Sequence, residues 1–427
     1  MEKLSYLCGK KLNNKRFNFQ AMKKRNIVLL LAILVQMSAF AQVVVGTWKG
    51  DLKVGMAKLA LIFHVDKDTC TLDVPDQGGL GLPASIKELT DTSLTVIMYE
   101  LEAGFQGHLK DGQLVGTFTQ RGMTFPLTLS RFQEAYNRPQ EPREPYPYKT
   151  EEVTINTPAA KLAGTITYPV GWQPGQKVPL AVMVTGSGQE DRNEEIFHHK
   201  PFLVIADHLA RNGIATLRCD DRGVGGSTGD VAKATTFDFA KDASYEIDFA
   251  RKQGHFSKVG VIGHSEGGDI GFILGAQKKL DFLVSMAGPS IPMDSILYLQ
   301  NVNAVKQMGV AANFTKEDLR KKIMDNDPSP WMVAILNYDP SNDIKATSCP
   351  VMAINGDKDV QVEATANLNA IKTLLPANKH SMVKSYTGLN HLFQHCQTGQ
   401  LAEYMTIEET ISDEVLNDMV KWIKGLK

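Results

Sequence analysis

Cysteine is scarce, at five in 427 residues, which excludes a small fold stapled by disulfides. Cys70, Cys219, Cys349 and Cys396 are far apart and share no C-x-x-C spacing. No zinc site or other metal centre is therefore expected, and these thiols read as free and buried. Excess charge of one sign is missing too: 46 Lys and Arg stand against 47 Asp and Glu. That balance gives no case for a nucleic-acid binder. Internal repeats and low-complexity tracts are absent. What remains is ordinary globular composition, 43% hydrophobic and 22% charged, long enough for two domains at roughly 100–200 residues each.

The charge balance is uneven along the chain. Residues 1–41 carry eight Lys or Arg and one acid, whereas the remainder carries 38 basic and 46 acidic side chains, a net of −8. Within the leader, Met22-Lys23-Lys24-Arg25 precedes an apolar run over 27–35, and Ala39-Phe40-Ala41 follows. A basic segment, a short apolar run and an Ala-x-Ala end are the parts of a secretory signal peptide. The run is short for a bilayer, which takes about 20 residues. A signal anchor is the alternative. The spacing predicts a signal from about Met22, cleavage after Ala41, and an exported protein, periplasmic or extracellular. Residues 1–21 read as an upstream extension, with the start at Met1 or at Met22.

Residues 42–132 read as an all-β domain, a small barrel or sandwich. Leu59, Leu61, Phe63 and Val65 alternate along one strand-length run, and Asp111-Gly112 and Arg121-Gly122 sit between such runs as hairpin turns. This stretch holds no Ser-His-acid set. Residues 133–149 contain Pro139, Pro142, Pro145 and Pro147, and read as an extended, semi-rigid linker. From 150 to 427 apolar strand candidates alternate with helical periods, the pattern of a mostly parallel sheet with helices on both faces.

Gly263-His264-Ser265-Glu266-Gly267 falls between the strand over 259–262 and a helix opening at Gly267. A G-x-S-x-G at a strand-to-helix turn holds its serine in a sharp bend, with the hydroxyl above the sheet at a helix N-terminus. A serine needs a base, and the base needs an acid. Asn355-Gly356-Asp357-Lys358-Asp359 and Asn390-His391 follow later strands and complete the order Ser, Asp, His. Asp359 is favoured over Asp357 because the turn that starts at Gly356 aims it at the histidine; Asp357 is expected to cap that turn. His391 is favoured over His395. His264, His198 and His199 read as packing or surface residues.

Oxyanion donors are expected from the backbone N–H of Glu266 and of Ser187, with Gly188 second, in Thr185-Gly186-Ser187-Gly188 after the strand over 180–184. That loop carries no nucleotide-binding fingerprint. Asp221 and Arg222 read as an internal pair.

Gly186-Ser187-Gly188-Gln189-Glu190-Asp191-Arg192-Asn193, Asp221-Arg222-Gly223-Val224-Gly225-Gly226-Ser227, the Gly-His-Ser-Glu-Gly turn, Gly356-Asp357-Lys358-Asp359 and Asn390-His391 together resemble the serine α/β-hydrolase superfamily. Within it the chain is most similar to exported bacterial carboxylesterases with an all-β N-terminal domain. The resemblance covers about residues 150–427 and implies a Ser265–His391–Asp359 triad and no cofactor. Thr185 departs from it, since many relatives have His there. An insertion over 288–342 is expected to form a helical cap, with Leu297, Leu299, Val302, Trp331, Met332, Ile335 and Leu336 available for an acyl pocket or for the helix core.

The reading is a serine hydrolase of small carboxylic esters, short-chain or aryl. Membrane partners are not expected once the leader is removed, and glycan contact through the β-domain is open. A prolyl-oligopeptidase-type peptidase and a glycan- or cell-wall-binding protein are the alternatives. Such peptidases carry a large propeller, for which about 90 residues of β-structure are too few.

Overall fold

The computed structural model describes residues 44–54, 57–77, 79–132, 136–307 and 312–426. The predicted signal peptide and its cleavage site lie outside the described residues. The chain divides into two units, Met1–Glu134 and Ala135–Lys427.

The first unit is one antiparallel sheet. Its strands are β1 (Gly46–Val54), β2 (Ala57–Val65), β3 (Cys70–Val74), β4 (Gly79–Pro83), β5 (Ser85–Leu89), β6 (Ser93–Met98), β7 (Ala103–Lys110), β8 (Gln113–Gln120) and β9 (Met123–Arg131). The order across the sheet is β4-β3-β2-β1-β9-β8-β7-β6-β5. Strands β4 and β5 are the two edges, yet Ala84 alone separates them in the chain. The sheet must therefore curl until its edges meet at that end, which makes a nearly closed barrel. Period-two alternation fills it: Leu61, Phe63 and Val65 on β2 and Leu94, Val96 and Met98 on β6 turn inward. Phe63 and Phe105 meet across the interior with ring centroids 5.4 Å apart. Asp111-Gly112 and Arg121-Gly122 both have positive φ at the two central positions, the turn that matches strand twist in two-residue hairpins.

The second unit holds β10 (Thr150–Asn156), β11 (Lys161–Thr167), β12 (Val178–Val184), α1 (Pro201–Arg211), β13 (Ala215–Cys219), α2 (Thr236–Lys252), β14 (Phe256–His264), α3 (Glu266–Ala276) and β15 (Leu283–Met286). It continues with α4 (Met293–Gln307), α5 (Lys316–Asn326), α6 (Pro330–Asn337), α7 (Ser341–Ala346), β16 (Val351–Gly356), α8 (Ala364–Leu374), β17 (Met382–Tyr386), α9 (Leu401–Tyr404) and α10 (Asp413–Gly425). The sheet order is β10-β11-β13-β12-β14-β15-β16-β17, parallel from β13 onward. Both faces are covered, so the central strands are apolar throughout rather than alternating. On β12, Leu180, Val182 and Val184 face the core beneath α2, α3 and α8. Ala181 and Met183 face the other core, with Phe202 and Leu209 of α1 and Leu416 and Met419 of α10. The order of connection reverses between β13-β12 and β12-β14, and open sheets of this kind place their sites beside that switch, at the strand C-termini.

The proline-rich segment over 138–149 falls within the second unit and is held there by polar contacts. The Arg138 guanidinium donates to the carbonyls of His198 (3.0 Å), Phe197 (3.2 Å), Met405 (2.9 Å) and Ile407 (2.8 Å). Gln140 Oε1 accepts from the Thr410 N–H at 2.7 Å. Proline spacing reports backbone stiffness, whereas docking is decided by what Arg138 and Gln140 find. The insertion over 288–342 does form helices, α4, α5 and α6. Thr315 and Asp318 cap α5 reciprocally, and Ser329 Oγ accepts from the Met332 N–H with Pro330 at the first helical position of α6.

Candidate active site

Ser265 is the single residue between β14 and α3, and its backbone is left-handed, at φ 50° and ψ −120°. The neighbouring glycines make that bend possible. A Cβ on Gly263 would lie 2.0 Å from the Gly267 carbonyl oxygen, and one on Gly267 would lie 2.2 Å from that of Val184. The Ser265 N–H donates to the Met286 carbonyl at 2.9 Å, and its own carbonyl accepts from Gly268 at 2.8 Å. The side chain thus stands at the N-terminal, electropositive end of α3.

Asp359 and His391 meet. His391 Nδ1 lies 2.7 Å from Asp359 Oδ2, with both side chains buried. Asp359 Oδ1 accepts from the N–H groups of Gln361 (2.7 Å) and Val362 (2.8 Å), so the carboxylate is fixed at both oxygens. The carboxylate on Nδ1 places the ring proton there and leaves Nε2 as the acceptor. Asp357 goes elsewhere: its Oδ1 accepts from the Gly388 N–H at 2.7 Å and ties the turn before His391. His395 is exposed and pairs with Glu409 at 2.8 Å.

One cavity of about 230 Å³ is lined by Ser265, His391 and Ser187 and roofed by cap residues Met293, Ile296, Leu297, Trp331, Met332 and Ile335. Of the seven cap residues singled out in the sequence, Leu297, Trp331, Met332 and Ile335 line it, while Leu299, Val302 and Leu336 do not. Gly186 N–H is already taken by Glu194 Oε1 at 3.0 Å. The loop donors next to Ser265 are therefore those beyond it, beginning with Ser187; Glu266 N–H opens α3.

Several side chains hold this geometry in ways the sequence did not reveal. His264 packs as expected, but as a buried polar strut, with Nδ1 2.8 Å from Glu194 Oε1 and Nε2 donating to the His391 carbonyl at 3.1 Å. Burial pulls its pKa down, but the Glu194 carboxylate and the His391 carbonyl outweigh that and raise it. A carbonyl only accepts, so Nε2 carries a proton, and Nδ1 faces the Glu194 carboxyl group. His199 is fully buried between Thr410 Oγ1 and the Tyr404 carbonyl, both at 3.0 Å, and burial lowers it to about 4.

Asp221 and Arg222 do not pair with each other. Thr185 Oγ1 donates to Asp221 at 3.0 Å, and Asp221 also accepts from the Glu190 N–H at 3.0 Å. The threonine at the departure from the family pattern is thus anchored to the Asp221 loop. Arg222 reaches α2 and forms a buried pair with Asp242 at 2.7 Å. Burial raises Asp221 to about 7. Glu266 was read only for its N–H. Its side chain is buried and accepts from Thr236 Oγ1 (2.6 Å) and from the cap indole of Trp331 (3.0 and 3.1 Å). Burial raises its pKa, partly offset by these donors.

No disulfide joins Cys70, Cys219, Cys349 and Cys396, of which the first two are buried and the others half-buried. Among the described residues no three His, Cys, Asp or Glu side chains are grouped to hold a metal ion.

Strand order, the left-handed serine at the β14–α3 turn and the chain order Ser265, Asp359, His391 give the second unit the α/β-hydrolase fold, with serine, acid and histidine in the order that fold uses. Residues 197–398 match the family described as "Serine aminopeptidase, S33". The chain is 26% identical over 292 residues to the esterase EstD of Thermotoga maritima, which covers 65% of this chain and 69% of that one. Among solved structures it is similar to Est1E of Butyrivibrio proteoclasticus with ferulic acid bound (18% identity, 64% of this chain and 99% of that one, TM-score 0.46). It is also similar to an esterase of Pyrococcus furiosus (15% identity, 69% and 98%, TM-score 0.45).

Proposed function

We propose that the protein is a carboxylesterase-type serine hydrolase of small esters, short-chain or aryl, working through an acyl-enzyme on Ser265. The observation that carries this reading is the meeting of three groups at one cavity. Ser265 sits strained at a helix N-terminus, His391 lines the same space, and Asp359 clamps His391 Nδ1 at 2.7 Å. Ser265 Oγ attacks the ester carbonyl while His391 Nε2 accepts its proton. Asp359 keeps the proton on Nδ1 and balances the imidazolium. The N–H groups of Ser187 and Glu266, with the end of the α3 dipole, hold the oxyanion. His391 then returns the proton to the leaving alkoxide, and water repeats the cycle on the acyl-enzyme.

The apolar cap residues over the cavity favour an acyl or aryl group, and the curated relative EstD is named an esterase. The first unit is a single nine-stranded sheet, not the propeller of prolyl-oligopeptidase-type peptidases. Residues 1–41 support export, and N-terminal sequencing of protein secreted by the native host would then begin at Gln42. For the central reading, purified protein should hydrolyse p-nitrophenyl acetate, and Ser265→Ala should lower turnover by about 10⁴-fold or more. Undiminished turnover in that variant would move the reaction away from Ser265.

A further inference from the structure

Two buried side chains, Glu194 and His264, join opposite sides of the active site and have no part in the acyl-transfer steps. Glu194 Oε1 accepts from the Gly186 N–H of the oxyanion loop at 3.0 Å, and His264 Nδ1 lies 2.8 Å from that same oxygen. Across the ring, His264 Nε2 donates to the His391 carbonyl at 3.1 Å. Three hydrogen bonds thus run from the loop that supplies the Ser187 donor to the peptide that carries the general base. The path passes directly behind the nucleophile. A Cβ on Gly186 would lie 3.3 Å from Ser265 Cβ and 3.7 Å from both Glu194 Oε1 and His264 Nδ1.

Each end of this path holds a group whose position the chemistry depends on. At one end the Gly186 backbone is fixed just ahead of the Ser187 N–H. At the other, the His391 backbone is held at both of its polar groups: its N–H donates to the Tyr404 hydroxyl at 3.3 Å, and its carbonyl accepts from His264. The two imidazole rings also pack together, with centroids 4.7 Å apart and planes at 51°. Asp359 therefore orients the ring of His391, while His264 places its backbone. The conformation of Glu194 agrees with such a role. Its φ is 53° although it carries a Cβ and is buried. Left-handed backbone at such a residue persists where the surroundings over-determine it, as two groups on one carboxyl oxygen do here.

We propose that Glu194 and His264 act as one positioning bridge, which sets the spacing between the oxyanion donors and the general base across Ser265. The inference rests on the ester-hydrolase reading above and adds two residues to its machinery. The transition state needs both ends at once, with N–H groups on the oxyanion and Nε2 of His391 on the proton of Ser265 Oγ. Substrate binding in the cavity demands neither so closely. The bridge therefore acts on kcat rather than on KM.

Two substitutions cut the bridge at different bonds. His264→Asn puts an amide near the Nδ1 position, keeping the contact with Glu194 and losing the His391 carbonyl. His264→Gln puts an amide near the Nε2 position, keeping the carbonyl and losing Glu194. Turnover of p-nitrophenyl acetate is read per fluorophosphonate-labelled serine, so that misfolded chains drop out, and melting temperature is read beside it. The expected result is a kcat per labelled serine about tenfold lower in both variants, with KM within about twofold of the parent. Parental kcat per labelled serine, even with a lowered melting temperature, would make the bridge a folding element and overturn the proposal. A loss in one variant alone would overturn its action as a unit. A raised KM with parental kcat would overturn it in favour of a cavity wall.

Glu194 gives a second test that does not depend on the His264 variants folding. Glu194→Gln keeps a hydrogen-bonding group of the same shape, and Glu194→Ala keeps none. Turnover per labelled serine should be lower in the alanine variant than in the glutamine variant, and equal values would overturn the bridge. A parent chain with no labelled serine would sink the ester reading. Labelled variants that turn over at the parental rate would sink the bridge alone.

Discussion

The indole Nε1 of Trp331 donates to both carboxyl oxygens of Glu266, at 3.0 and 3.1 Å, and so joins the cap to the residue that follows Ser265. Glu266 opens α3, and its side chain is also held by Thr236 at the start of α2. Cap helix, α2 and the oxyanion corner therefore share one buried carboxyl group. Trp331→Phe keeps the apolar ring and removes the donor. Its kcat/KM on p-nitrophenyl acetate should fall about tenfold, the equivalent of one buried hydrogen bond worth about 1.4 kcal/mol. Unchanged turnover would mean that the latch does not position the catalytic corner.

The two aspartates after β16 have separate partners. Asp359 meets His391, whereas Asp357 meets the Gly388 N–H. Asp359→Asn should lower kcat by about 10³-fold or more through the wrong tautomer of His391. Asp357→Asn should cost only a few-fold, because it loosens a turn and leaves the pair intact. Steady-state kinetics on both variants checks this, and equal losses would contradict the assignment.

These particulars show what the sequence could and could not carry. The serine turn was legible because Gly263 and Gly267 are demanded by backbone contacts, and such demands are written in residue type. Asp359 was legible because the turn at Gly356 fixes its direction within three residues. The roles of His264, Glu194 and Trp331 were not legible. Each depends on partners 65 to 127 residues away in the chain or on a cavity assembled from several loops, as with Trp331 to Glu266 and His264 to the His391 carbonyl. Asp221 and Arg222 were misread as a pair because adjacency in sequence hides that their side chains leave the loop on different sides. The barrel's hairpins were legible from their glycine turns. Its near closure was not, since it follows from β4 and β5 being both sheet edges and chain neighbours.

The fastening of the proline-rich segment gives a stability prediction. Arg138 satisfies carbonyls of two loops at once, and Arg138→Ala would leave them without donors. The cost should be about 2–3 kcal/mol, read as a melting temperature lower by about 5 °C or more. A chain beginning at residue 150 should melt lower than one beginning at residue 136, and identical melting would mean that the segment merely lies along the surface.

Glu246 supplies a pH dependence. It is buried on α2 near Asp242 and Asp221 with the Cys219 thiol as its donor, and burial foremost lifts it from 4.5 to about 8. Between those values the native chain keeps a proton that the unfolded chain has released. Stability therefore falls as pH rises through the window, by about 1.4 kcal/mol per pH unit at most from this group. The contribution is complete below about 4.5 and gone above about 8. Glu246→Gln mimics the protonated form at all pH. It should melt close to the parent at pH 5 and above it at pH 8, and parallel melting curves would contradict this.

The central claim is that Ser265 is the nucleophile, and mass spectrometry after reaction with a fluorophosphonate tests it most directly. The account predicts one adduct per chain, located on the peptide containing Ser265, absent from Ser265→Ala and slowed in Asp359→Asn. An adduct on another residue, or an unlabelled chain that still hydrolyses p-nitrophenyl acetate, would contradict it.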